Sequence, residues 1–462
     1  MITLVAISGI GVLCLLLEIL NLRKILVPVT LLGLVATLGI TISEFCSGQP
    51  YFQFEIYNMV ETTRFSQSFS ILFIILAAFI IAMSPKFYED KLDKIADYVS
   101  LKVFLLAGAI AMVSFGNLAM FFIGVEILSI SGYVLAASNP KDLKSNEAGM
   151  KYFIMGAFAS SFILFGIALV YGAVGSFNID VIKTASQSEL ILPVWFKLGF
   201  IMILVGLLFK ASLVPFHLWA PDVYEGSPTL ITTMMSTLVK VAAIATLYKV
   251  VHLMSALLEP SVQMALIIIS ILSMSVGNIT ALRQTNLKRM MAYSGISHAG
   301  FMMMDLLYLN GNGNATLYYT AAYSLAAIAG FSVIMAVCHN RDNEDISNIF
   351  GLARKHPLLA GVFTCSLISL GGIPIFAGFF AKLFVFSEMF QAGNVAFVMF
   401  GIVNSIIAIF YYFGAANVMF TKDPIDDKPF VASKRYAIIA VIAIILNILI
   451  GIFPSLIMDL KL

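Results

Sequence analysis

Apolar runs of about the length that crosses a bilayer recur along this chain, and that recurrence limits what it can fold into. A helix needs ~20 mostly apolar residues to traverse a hydrocarbon core about 30 Å thick. Runs of this kind fall at about 2–20, 25–43, 66–84, 101–117, 118–138, 151–172, 197–220, 227–250, 261–282, 289–308, 315–338, 357–390, 395–420 and 436–458. They predict an all-α polytopic membrane protein with about fourteen transmembrane helices. The composition agrees, with 60% hydrophobic and 11% charged residues against roughly 45–50% and about 25% in soluble domains. The longest expected loops, near 44–65 and 173–196, are too short for a soluble domain, so residues 1–462 read as a single membrane domain. The first run has no basic leader and no small-residue cleavage site, and reads as a retained helix.

Basic residues test the segment count, because Lys and Arg accumulate in cytoplasmic loops. With the N-terminus outside, nineteen of the 27 Lys and Arg fall in odd-numbered, cytoplasmic loops, among them Lys102, and five on the outer side. Both termini are therefore expected on the outer side. The basic residues are otherwise scattered and give no nucleic-acid face. Cys14, Cys46, Cys338 and Cys365 have no metal-ligand spacing and read as free thiols, mostly buried.

Three lysines remain inside the apolar runs: Lys210, Lys240 and Lys382. An ionisable side chain at such depth costs several kcal/mol and is by default a functional residue with a partner to find. Glu126 is the one acid deep in an uninterrupted run, whereas Glu18 (beside Arg23), Asp305 and Glu388 lie near segment ends, where snorkelling or local pairing suffices. By helical rise, Glu126 lies roughly 13 Å and Lys210 roughly 20 Å from the outer ends of their segments, so they can meet if the helices are neighbours. A single buried Lys–Glu pair has a purely structural reading. Three lysines facing one deep carboxylate do not, because at least one must be neutral or exchanging its proton. His298 and His217 are the imidazoles placed to relay protons; His252, His339 and His356 are expected in loops.

Two of the runs are interrupted. The first carries Pro215 after Lys210, and the second carries Gly371, Gly372, Pro374 and Gly378 before Lys382. Broken helices at corresponding places in two halves point to inverted repeats with sites at the breaks. The interruptions lie about 160 residues apart, which is compatible with two inverted five-helix repeats at about 101–250 and 261–420. Residues 1–84 and 436–458 would then flank them.

The stretches KASLVPFHLWAPDVYEGSP, NLKRMMAYSGISHAG and GGIPIFAGFFAK resemble the antiporter-like proton-translocating subunits of respiratory complex I, NADH:quinone oxidoreductase, nearest the subunit N (subunit 2) type. The resemblance implies fourteen helices with the seventh and twelfth broken, Glu126 as partner of Lys210, Lys240 as the central relay, and Lys382 as the terminal residue toward the outlet. Gly295 and Ser297 depart from the family stretch, where Ser and Ala are expected. It further implies a bacterial cytoplasmic membrane, and as partners a second antiporter-like subunit and small membrane subunits, with no nucleic acid. No metal or cofactor is expected on this chain; NADH, FMN, Fe–S clusters and quinone would belong to partner subunits. A subunit of a cation/proton antiporter or membrane-bound hydrogenase, and a structural membrane scaffold, are the alternatives.

Overall fold

The computed structural model describes residues 2–48, 51, 58–187, 192–339, 341, 343–424 and 433–462. Every apolar run falls on helix, with two of them interrupted. The elements are α1 (Ile2–Ile19), α2 (Arg23–Ser47), α3 (Arg64–Phe87), α4 (Ile95–Val113), α5 (Leu118–Ala136), α6 (Leu143–Val174), α7 (Ile179–Gln187), α8 (Val194–Lys210), α9 (Trp219–Gly226) and α10 (Thr229–Leu253). They continue as α11 (Pro260–Ala281), α12 (Leu287–Leu306), α13 (Asn314–Cys338), α14 (Pro357–Gly371), α15 (Ala377–Gln391), α16 (Val395–Thr421) and α17 (Lys434–Ile452). Single-turn helices accompany them, and no strand occurs among the described residues. Eleven helices are long and apolar enough to cross a membrane by length and composition. The remaining three predicted runs are the two broken ones and α12, whose Lys, Arg, Tyr, Ser and His residues make it the least apolar.

Two helices form the centre of the bundle. α10 is buried along its whole apolar window and α13 along 94% of it, whereas α1, α2, α6, α11, α16 and α17 bury between a third and two fifths of theirs. The sequence of α13 explains its place, because its alternating Ala, Ser, Thr and Gly positions let neighbouring backbones approach closely, as membrane helix packing requires. Residues 95–253 and 260–421 pack in parallel patterns. In each, the first helix lies on the second and the fifth, and the third lies on both halves of the broken fourth (α6 on α8 and α9; α13 on α14 and α15).

Some expectations need correction. Lys102 is not in a loop: α4 begins at Ile95, and Lys102 is fully buried, its Nζ donating to Ser84 Oγ (2.8 Å) and lying 4.5 Å from the centre of the Tyr88 ring. His252 sits in the last turn of α10, stacked 3.9 Å from Tyr248, because the helix continues past the apolar run. The stretch 173–196 contains the short amphipathic helix α7. Asp305 is buried and accepts from Thr316 Oγ1 rather than reaching an interface. Glu18, by contrast, pairs with Arg23 as expected.

Candidate functional site

The two breaks create the site. After α8 the chain leaves helical geometry at 211–218, and after α14 at 372–376. Freed backbone groups at membrane depth need partners from protein, and they have them. Trp219 Nε1 donates to Phe209 O (3.0 Å), and Val214 N donates to Ser273 Oγ (2.9 Å) on α11. Gly372, at φ +82°, ends α14 in the left-handed conformation that glycine adopts freely. Pro215 and Pro374, neither able to donate a backbone hydrogen bond, lie within the breaks.

Each break holds a buried lysine. Lys210 is the last residue of α8, 6% exposed, and donates to Ser129 Oγ of α5 (2.5 Å). Lys382 on α15, 5% exposed, donates to Gly371 O (3.0 Å) and Leu370 O (3.3 Å), the open carbonyls at the C-terminus of α14. A cation at a helix C-terminus is stabilised by the aligned peptide dipoles. Lys240, 1% exposed, follows a π-helical turn (Met235–Val239) and donates to Ser212 Oγ (2.9 Å) inside the first break. The first break thus ties Lys240 to within two residues of Lys210. π-helical turns concentrate at functional sites because they redirect a side chain at the expense of one regular bond.

His298 of α12 is buried, its ring centre 5.0 Å from that of Tyr323 and 6.3 Å from that of Phe301. Its Nδ1 is 2.9 Å from Tyr319 Oη and its Nε2 3.2 Å from Tyr412 Oη, which also hydrogen-bonds Ser294. On the Lys240 side, Gly295 allows a close approach to the helix backbone: a methyl group there would lie only 2.9 Å from both Lys240 Nζ and Tyr323 Oη, too near for either to stay in place. Tyr323 Oη in turn meets Ser236 Oγ of α10 (2.9 Å). On the other side, the ring of Phe301 stands 5.1 Å from Lys382 Nζ.

Glu126 is half-buried on α5, one turn from Ser129, and its buried Oε1 has no hydrogen-bond partner. No ion pair joins it to Lys210 among the described residues. Ser129, whose hydroxyl also donates to Val125 O, accepts the lysine's hydrogen bond instead. His217 lies half-buried in the first break without touching the lysine line, its Nδ1 unpartnered. Sequence reasoning missed the hydroxyls. Thr229, Thr232, Thr233, Ser236 and Thr237 form two buried rows at helical spacing on α10 leading to Lys240. Thr229 opens onto a polar cavity of about 520 Å³ also lined by Lys144, Glu225, Lys288 and Glu344. The signal was present in the run TLITTMMSTLVK, which reads as apolar only on average.

Beside this cavity, an ion network fixes α9. Arg289 donates to Asp222 (2.8 Å) and Glu225 (3.0 Å), Lys144 to Glu225 (3.1 Å), and Lys151 to Asp222 (3.0 Å) and Glu147 (2.7 Å). Burial acts to raise the Asp222 and Glu225 carboxyls, but Lys151, Lys144 and Arg289 hold both below the usual carboxylate range. The short half-helix is thereby pinned to α6 and α12.

Two broken helices, each presenting a buried lysine at its break, with a third lysine and a histidine between them, define an antiporter-like membrane subunit. Residues 116–408 match the family described as NADH:quinone oxidoreductase/Mrp antiporter, TM. A Flavobacterium johnsoniae protein named NADH-quinone oxidoreductase subunit N is 55% identical over 468 residues, covering 99% of each chain. The chain belongs to the NADH-quinone oxidoreductase subunit N family. A chain of respiratory complex I from Thermus thermophilus superposes with a TM-score of 0.84 at 32% identity, over 99% of this chain and 98% of that one. A chain of the Mrp complex from Dietzia sp. shares the fold, with a TM-score of 0.88 at 20% identity over 99% and 95%.

Proposed function

We propose that this chain moves protons for a membrane NADH:quinone oxidoreductase along the line Glu126, Lys210, Lys240, His298 and Lys382, and carries no redox centre itself. The observation that carries the proposal is the Lys240–Ser212 hydrogen bond (2.9 Å), which ties the central lysine to the break that begins just after Lys210, with neither lysine in an ion pair among the described residues. Two lysine amines so placed, with hydroxyls as their partners, can compete for one proton. Residues 95–253 and 260–421 act in this reading as inverted repeats whose breaks meet the line, with fourteen membrane crossings in all.

Protons reach the line from the polar cavity through the hydroxyl rows of α10. Glu126 sets the state of Lys210. When its carboxylate turns toward Lys210 the ammonium is stabilised; when it turns away, as Ser129 permits, Lys210 loses its counter-charge and its proton moves on to Lys240. Water carries the proton from Lys240 past Gly295 toward His298, whose two nitrogens can accept on one side and release on the other. Lys382 receives it and passes it outward. Partner membrane subunits supply the displacement of Glu126, and NADH, FMN, Fe–S clusters and quinone reside on partner chains. Both termini lie on the outer face of a bacterial cytoplasmic membrane, in keeping with the Lys and Arg distribution.

The test is Lys210→Met in the whole complex reconstituted into vesicles, with acidification followed by a pH-sensitive dye and normalised to NADH oxidised. The variant complex assembles and moves fewer protons per NADH. An unchanged ratio removes Lys210 from the pathway.

A further inference from the structure

The proton line leaves unused a groove on the outside of the bundle. It has a volume of about 450 Å³ and lies between α2, α3, α4 and α17, with walls of Val27, Leu31, Ala82, Ile95 and Ile438 among others. Its mouth is rimmed by Arg23, Lys24 and Arg435. All three stand where helices begin or end: α2 starts at Arg23, α3 ends at Phe87, and α17 starts at Lys434. The mouth is therefore at the level of lipid headgroups and the groove below it at the level of acyl chains. Arg23 is engaged by Glu18, whereas Lys24 and Arg435 are exposed and in no ion pair among the described residues.

An occupant must satisfy both halves of this surface. A neutral lipid would fill the groove and leave the cations without counter-charge. A soluble anion would meet the cations and leave the apolar walls bare. A molecule with two hydrocarbon chains and one phosphate meets both requirements, and a guanidinium binds a phosphate through two parallel hydrogen bonds. Basic pockets between membrane helices recognise anionic lipid headgroups by this complementarity. We propose that this groove binds an anionic glycerophospholipid, with its chains along α2, α3 and α17 and its phosphate held between Lys24 and Arg435.

The test uses the intact complex in vesicles containing either phosphatidylglycerol or phosphatidylcholine, each bearing the same photoreactive acyl chain. After illumination, labelled peptides are mapped by mass spectrometry. Phosphatidylglycerol is expected to label the segments around Val27 and Ile438 on the order of tenfold more than phosphatidylcholine, given two cations at the headgroup level. In K24Q/R435Q the preference falls to near parity while total labelling persists. Equal labelling by the two lipids in the unaltered complex overturns the proposal, as does a preference that survives the double substitution. Absence of lipid labelling, with cross-links from these segments to another polypeptide, shows that a neighbouring subunit covers the groove and also overturns it. If the double variant fails to assemble, the comparison of lipids on the unaltered complex still decides.

Discussion

Lys240→Met separates a working lysine from a structural one, because the two roles predict opposite signs for stability. Lys240 is 1% exposed, and its hydrogen bond goes to Ser212 Oγ rather than to a carboxylate. Its charged form therefore bears a desolvation cost of several kcal/mol with no anion to offset it. Methionine has nearly the same shape and no charge. Ser212 Oγ is not orphaned by the change, since it also donates to Ala211 O (2.6 Å), so the usual ~1–3 kcal/mol for an unsatisfied buried group does not arise. The substitution should be neutral or stabilising by about 1–4 kcal/mol, as for other replacements of buried ions by apolar isosteres. The relay step should slow by about 10²–10⁴-fold, the range for removing a group that takes and gives a proton. The assay pairs thermal inactivation of the detergent-solubilised complex with dye-monitored acidification in vesicles. Midpoint equal or higher with fewer protons per NADH is expected. A lower midpoint with unaltered proton yield would mean that Lys240 serves packing, and the reasoning fails.

Other consequences can be checked in the same preparation. Ser212→Gly relieves a left-handed backbone (φ +58°) worth roughly 1–2 kcal/mol but deletes the acceptor for Lys240, a loss of ~1–3 kcal/mol for a buried group left unsatisfied; the two roughly cancel, so stability should change little while pumping falls, and wild-type pumping would show that the hydrogen bond is incidental. Ser129→Ala removes the partner of Lys210 and should drive the ammonium onto Glu126, slowing NADH-coupled pumping several-fold while adding Glu126→Gln causes little further loss; additive losses would mean independent roles. Because Asp222 and Glu225 titrate below their ordinary range in the folded chain, they stabilise it above an unfolded carboxyl pKa of about 4, and that contribution disappears as pH falls through the lower folded values. Arg289→Gln should therefore move the acid dissociation of the complex, followed on native gels from pH 6 to pH 3, to higher pH; an unmoved transition denies the network a role in holding α9. Tyr412→Phe frees His298 Nε2 and Ser294 at once, and its effect should appear as a changed pH dependence of pumping rather than as loss of assembly.

The helices and both breaks were legible in the sequence because lipid imposes a single rule on every segment, and Pro215 and the Gly371–Gly372 pair announce where that rule is suspended. The lysines were legible for the same reason, since a charge in an apolar run is conspicuous. Lys102 was not, because charge beside an apolar run reads as loop, and only the extension of α4 to Ile95 carries it inside. The hydroxyl partners were invisible for a different reason. Ser129, Ser212 and Tyr323 are common residues on three different elements, and their convergence on Lys210 and Lys240 depends on how α5, α8, α10 and α13 pack. That Lys210 meets Ser129 and not Glu126 is likewise a matter of side-chain geometry at one helical turn, which spacing along a sequence cannot express.

The account depends on protons being able to travel between these buried groups. A cryo-electron-microscopy map of the intact complex at a resolution that shows ordered water tests this most directly. Water molecules are expected between Glu126 and Lys210, between Lys240 and His298, and between His298 and Lys382. Apolar side chains packed against one another in those three intervals, with no ordered water, would contradict it.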